Sequence, residues 1–267
     1  MSTTQSSDGT VIGYSEVGSG PPVILVDGAT SYRAFSQSIN KLADLLSDSF
    51  TVFTYDRRGR GESGWNDAST SPVADELADL DALIAVAGGS AAVCGFSSGA
   101  VLALEAVRAG LDITKLALYE PPFIVSAVRP PLPADYVEQL QTAVADGRRG
   151  DAVAIFMTKA AGLPEEYLPG MRESPFWSGL EAVAHTIAND GAVMGSTMSG
   201  DPSALDRFAG VQTEALVLYG DQTDASIIEA DQKLAELLPN ASLEVLPGQT
   251  HDVAAEAIAP SLTRFFS

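Results

Sequence analysis

In the stretch CGFSSGA, residues 94–100, Ser97 stands midway between Gly95 and Gly99. A serine hydroxyl is a weak nucleophile unless a neighbouring base takes its proton. Gly-x-Ser-x-Gly suits that use, because small flanking residues allow a sharp turn that lifts the Oγ above a sheet edge. A packing role is the plain alternative, and Ser98 is the rival hydroxyl, one step off the pattern's centre. The apolar run AAVCG precedes Ser97 and SGAVLALEAVRAG follows it. A strand should therefore deliver the serine and a helix should leave from it. The hydroxyl would lie at a helix N-terminus, where unpaired N–H groups and the dipole favour negative charge.

A base is required, and the chain has two histidines, His185 and His251. His251 lies in LPGQTHDV, after the last predicted strand and before the last predicted helix. Loops at the carboxyl ends of strands are where open α/β sheets place their sites, so His251 is the expected general base. His185 lies in LEAVAHTIAND at helical spacing and reads as a solvated or hydrogen-bonded helix residue, with pocket lining as the alternative. The two histidines lack His-x-x-x-His spacing, which argues against zinc. No dinucleotide fingerprint follows the early strands. The expectation is chemistry without a metal or cofactor.

The elements that would position these groups can be traced along the chain. A hairpin turning at Asp8-Gly9 opens it, and TVIGYSEV is its second strand. VILVDG, TVFTYD, AAVCG, KLALYE, EALVLYG and ASLEVL are strand-like runs. FSQSINKLADLL, SPVADELADLDALIAVAG, SGAVLALEAVRAG, SIIEADQKLAELL and VAAEAIAPSLTRFF read as helices between or after them. Pro72 near the start and Gly88 past the end mark the second of these. Such alternation predicts a mostly parallel sheet with helices on both faces. Residues 121–210 break the pattern with proline clusters (EPP, RPPLP) and helix-like stretches such as YVEQLQTAVADG and GDAVAIFMTKAAG. We expect a core made of residues 1–120 and 211–267, and a helical lid insert over 121–210.

Composition narrows the partners. Of 267 residues, 46% are hydrophobic, which suffices for a sizeable core, and the formal net charge is −20 from 35 acidic and 15 basic residues. So acidic a surface repels nucleic-acid backbones and anionic lipid. Cys94 is the single cysteine, so no intrachain disulfide forms. The polar start MSTTQSSDGT does not read as a signal peptide, and no apolar run approaches the roughly 20 residues that span a bilayer. These features lead us to expect a soluble cytoplasmic protein.

Taken together, VDG after an early strand, YDRRGRGESG after the next, GFSSG at the turn and PGQTHDV near the end resemble the α/β-hydrolase fold superfamily, across nearly the whole chain. The resemblance implies an eight-stranded, mostly parallel sheet with a helical lid. It implies a nucleophile at Ser97 and an oxyanion hole made by the backbone N–H of Ser98 and a second N–H near Gly28 and Ala29. Many relatives carry His-Gly where this chain has Asp27-Gly28; the donor is main chain, so the change bears on loop geometry. The loop Arg57-Arg58-Gly59-Arg60 reads as packing beside the site in an ion-pair network with Asp56 and Glu62.

The acid that orients the histidine departs from the pattern. Most relatives place it as Gly-x-x-Asp after the strand that follows the lid. Here LYGDQTDAS puts Thr223 at that position, flanked by Asp221 and Asp224. Haloalkane dehalogenases and fungal zearalenone lactonases resemble a second arrangement, with the acid at the end of the strand before the lid. In this chain Glu120 ends that strand, and burying it without a partner would be costly. Glu120 is the preferred acid, with Asp224, Asp221 and a dyad lacking an acid left open.

The expected function is a serine esterase or lactonase acting on a small apolar ester or lactone through an acyl-enzyme. Aromatic and Met residues of the insert read as core or pocket lining; lining the pocket, they would favour an apolar acyl or alcohol part. Acyl transfer, cyclisation or lyase chemistry on the same triad is one alternative, and a ligand-binding member without turnover is another. Epoxide hydrolases and dehalogenases use aspartate where this chain has Ser97, which disfavours both.

Overall fold

A computed structural model of the protein describes residues 2–66 and 71–267. Its strands are β1 (Ser2–Gln5), β2 (Val11–Gly18), β3 (Pro22–Val26), β4 (Thr51–Tyr55), β5 (Ala91–Phe96), β6 (Ile113–Tyr119), β7 (Ala215–Gly220) and β8 (Ala241–Leu246). They form one eight-stranded sheet in the order β1-β2-β4-β3-β5-β6-β7-β8. β1–β2 and β2–β4 are antiparallel; from β4 to β8 every neighbour is parallel.

Alternation along the strands divides the core into two layers, because successive side chains leave opposite faces. Ile24, Val26, Val93, Leu116 and Leu118 enter one apolar cluster. Val23, Leu25, Cys94, Ala117 and Tyr119 enter the other. The helices are α1 (Gln37–Leu46), α2 (Pro72–Val86), α3 (Ser98–Ala109), α4 (Tyr136–Ala145), α5 (Arg149–Ile155), α6 (Leu168–Arg172), α7 (Trp177–Ala182), α8 (Ile187–Met194), α9 (Ala225–Leu237) and α10 (Ala255–Phe266). α2, α3 and α9 cover the first layer, and α1 and α10 cover the second.

The strand order reverses between β3 and β5. The chain runs from β3 outward to β4, then returns to place β5 on the other side of β3. The connections after β3 and β5 therefore diverge and open a crevice at their carboxyl ends, the usual ligand position in such sheets. Ser97 and residues 27–30 sit at that crevice.

Among the described residues no strand lies between β6 and β7; α4 to α8 fill that stretch. The insert is anchored at both ends. Phe123, Ile124 and Val125 at its start, and Val193, Met198 and Phe208 at its end, pack into the first core layer. Its middle has a small core of its own, including Tyr136, Leu140, Val153, Trp177 and Ile187. GDAVAIFMTKAAG forms α5 and then a π-helical turn over Phe156–Ala160. LEAVAHTIAND is not the continuous helix that its spacing suggests. A 3-10 turn at Ala184–Thr186 separates α7 from α8. The Thr186 hydroxyl donates to the Val183 carbonyl and accepts from Arg60 Nε, and such side-chain bonding competes with the helical ladder.

Candidate active site

Ser97 lies between β5 and α3 with φ 53° and ψ −124°, a region that glycine enters freely and other residues rarely do. Two glycines make the turn possible by close approach. A Cβ on Gly95 would lie 2.4 Å from the Gly99 carbonyl oxygen, and one on Gly99 would lie 2.3 Å from the Val26 carbonyl oxygen. The Ser97 N–H donates to the Tyr119 carbonyl at 2.9 Å, which ties the turn to β6. Ser98 opens α3, so its N–H has no acceptor within the helix.

Three non-glycine residues have positive φ among the described residues: Thr30, Ser97 and Glu120. All three follow the carboxyl ends of strands, namely β3, β5 and β6. Strained backbone of this kind collects at functional sites.

Ser97, Ser98, Gly28, Ala29 and His251 line one cavity of about 500 Å³. Its roof comes from the insert, through residues such as Leu132, Tyr136, Phe156, Met194 and Met198. No hydrogen bond joins Ser97 to His251 among the described residues. Catalytic hydrogen bonds are often loose before substrate arrives.

The His251 side chain is 43% exposed and its Nδ1 lies 2.7 Å from Glu120 Oε2, a carboxylate with no exposure. Glu120 is fully engaged. Oε1 accepts from the Gly220 N–H at 2.8 Å and Oε2 accepts from the Thr223 hydroxyl at 2.9 Å. Thr223, at the position where most relatives carry the acid, thus holds the acid of the neighbouring strand. The other two candidates are occupied elsewhere. Asp224 caps α9, accepting from the Ser226 N–H and hydroxyl; Asp221 accepts from the Gly248 N–H. Behind Glu120, burial and then the Glu120 charge push the Asp231 carboxyl well above the usual range.

The arginine loop does form buried ion pairs, but not with Asp56 and Glu62. Those two carboxylates pair with Arg33. Arg57 pairs with Glu76 and with Asp190 of α8, Arg60 also pairs with Asp190, and Arg58 pairs with Asp79. Asp190 carried no sequence signal beyond being the one acid in a mostly apolar helix. Burial opposes its ionisation, but the Arg57 and Arg60 guanidiniums overcome that and hold its carboxyl below the ordinary value. Asp27 behaves oppositely. Burial pushes its carboxyl up, against the favourable influence of Ser36, the Gly28 N–H and the two arginines. Its Oδ1 accepts from the Gly28 N–H at 2.7 Å, which shapes the loop where relatives carry His-Gly.

His185 does not line the cavity among the described residues. Its ring meets Trp65 edge-on, with centroids 5.0 Å apart. Among the described residues no cluster of three or more His, Cys, Asp or Glu could hold a metal ion, and no helix is long and apolar enough to cross a membrane.

Comparison with known proteins agrees with this architecture. The model of a family described as the alpha/beta hydrolase family matches residues 20–260. An alpha/beta hydrolase from Sphaerobacter thermophilus DSM 20745 superposes with a TM-score of 0.89 at 48% identity, over 100% of both chains. A thermophilic esterase from Thermogutta terrifontis, with malate bound, superposes with a TM-score of 0.69 at 21% identity, over 100% of this chain and 99% of its own. A non-heme chloroperoxidase from Kitasatospora aureofaciens is 25% identical, over 95% of this chain and 93% of that one. With a serine turn at the sheet's switch point and a family match along nearly its whole length, the chain belongs to the alpha/beta hydrolase family.

Proposed function

We propose that this protein is a serine hydrolase that opens an ester or lactone of a small, largely apolar molecule through an acyl-enzyme. The observation that carries the reading is the 2.7 Å contact between Glu120 Oε2 and His251 Nδ1. With Nδ1 so engaged, the ring's Nε2 is the atom left to serve a nucleophile, and Ser97 lines the same cavity. Ser97 Oγ attacks the carbonyl carbon while His251 Nε2 takes its proton. Glu120 fixes the tautomer and stabilises the imidazolium. The N–H groups of Ser98 and Ala29 donate to the oxygen that gains charge. Collapse expels the alcohol, which recovers the proton from His251. Water then attacks the acyl-enzyme by the same route in reverse. In a lactone the leaving alcohol stays attached to the acyl chain.

The insert over 121–210 acts as a lid that selects the substrate. Its contribution to the cavity is mainly apolar, which favours an apolar acyl or alcohol part. The chloroperoxidase relative favours one second reading, in which the same site serves a peroxide-dependent reaction.

Two measurements test the proposal together. A fluorophosphonate probe should label Ser97, as read by peptide mass, and a panel of nitrophenyl esters and macrolactones should include substrates that turn over. An unlabelled native protein would sink the activated-serine reading. Labelling without hydrolysis, but with peroxide-dependent turnover, would favour the second.

A further inference from the structure

The buried carboxylate of Asp190 touches neither Ser97 nor His251 by hydrogen bond, yet its partners lead to both groups assigned to the oxyanion hole. Asp190 Oδ2 accepts from Arg60 Nη2 at 2.6 Å, and Arg60 Nη1 donates to the Gly28 carbonyl at 2.7 Å. That carbonyl and the Ala29 N–H belong to one peptide unit. In a trans peptide the two point in opposite directions from one plane. Holding the Gly28 oxygen therefore fixes where the Ala29 N–H points. A charged donor on the carbonyl also polarises the unit and strengthens its N–H as a donor.

The second group is held in the same way. Asp190 Oδ1 accepts from the Ser98 hydroxyl at 2.8 Å and from Arg57 Nη1 at 2.7 Å. Arg57 Nη1 also donates to Ser98 Oγ at 3.1 Å. The side chain of the residue that carries the first N–H donor is thereby locked. Arg57 and Arg60 are each 1% exposed and Asp190 is 4% exposed, so water offers no substitute for these bonds. Glu76 supplies the remaining negative charge, gripping Arg57 through both oxygens.

We propose that Asp190, supplied by helix α8 of the insert, is a positioning residue that sets both oxyanion donors through Arg60 and Arg57. The inference rests on the serine-hydrolase reading. The lid is then part of the apparatus that aims the hole, as well as a wall of the pocket. A plain structural staple between insert and core is the competing account, and it predicts loss of stability without loss of rate.

The test uses the rate at which a fluorophosphonate labels Ser97, since that reaction loads negative charge onto the phosphoryl oxygen and needs no known substrate. Asp190→Asn keeps the shape and removes the charge. We expect labelling about 10- to 100-fold slower, a fraction of the 10²–10³ that losing a whole donor costs. Asp79→Asn breaks the buried pair with Arg58, away from the cavity, and is expected to lower the melting temperature with labelling unchanged. Ser98→Ala is a small truncation that leaves the backbone N–H in place. It should slow labelling several-fold even if Asp190→Asn fails to fold. Native protein that labels, with Asp190→Asn and Ser98→Ala both labelling at its rate, would overturn the inference alone. Native protein that does not label overturns the hydrolase reading and this inference with it.

Discussion

On one side of the cavity, Ser97 and residues 27–30 are packed backbone against backbone and backed by fully buried charges. On the other side, His251 stands on a loop with 43% of its side chain exposed, held at one ring nitrogen by Glu120. The Tyr119 hydroxyl steadies that loop by donating to the Thr250 carbonyl. In the proposed reaction the two sides would solve different problems. Charge develops on the carbonyl oxygen at a fixed point, so its donors gain from being rigid before substrate arrives. A base must accept a proton from the serine and hand it to a leaving group, which are different positions. A ring pinned at Nδ1 and loose elsewhere can serve both. Rigidity on the first side was built from many bonds; freedom on the second was kept by using few.

Substitutions can break or sharpen this contrast. Ser97→Ala should have the largest effect, a loss in kcat of roughly 10⁴–10⁶, with the melting temperature held. Near-native turnover of a nitrophenyl ester by the purified variant would contradict the assignment. Glu120→Gln comes next, because one buried charge does most of the holding on the loose side. A loss on the order of 10⁴ in kcat is expected, whereas Asp221→Asn and Asp224→Asn should stay within about two-fold, since they cap α9 and a turn rather than meet the ring. If Asp224→Asn proved the more damaging, the histidine would be held by a different acid during turnover. His185→Ala should be the mildest, with kcat within about two-fold and a small stability loss from its contact with Trp65. A large fall in kcat there would mean that the insert's histidine enters the chemistry.

The loose side was the more legible of the two in the sequence. Glu120 ends an apolar strand, and the resemblance to relatives with their acid there made it the preferred partner while Asp221 and Asp224 stayed open. His251 follows a strand and precedes a helix, so local pattern brings it to the sheet edge. The turn at Ser97 was legible for the same reason. The rigid side was not. Asp56 and Glu62 adjoin the arginine loop in the chain and were the natural partners for it, yet Arg33 takes both. Arg57 and Arg60 instead reach Asp190, 133 positions from Arg57. Pairings of that range depend on how the insert folds back over the sheet, and no spacing rule encodes it. At His185 the departure is local: the helix its spacing suggests is interrupted by a 3-10 turn over Ala184–Thr186, where the Thr186 hydroxyl donates to the Val183 carbonyl.

Ser97 is held at φ 53°, and such backbone costs about 1–3 kcal/mol at a non-glycine residue. Alanine at this position inherits the strain; glycine does not. Ser97→Ala and Ser97→Gly should thus be equally inactive but unequal in melting temperature, with the glycine variant above both the alanine variant and the native protein, less the unfolded-chain entropy that glycine adds. Part of the folding energy is thus held as strain at the residue proposed as the nucleophile. The serine would then be the spot where selection for activity holds the protein below the thermal stability its own scaffold can reach.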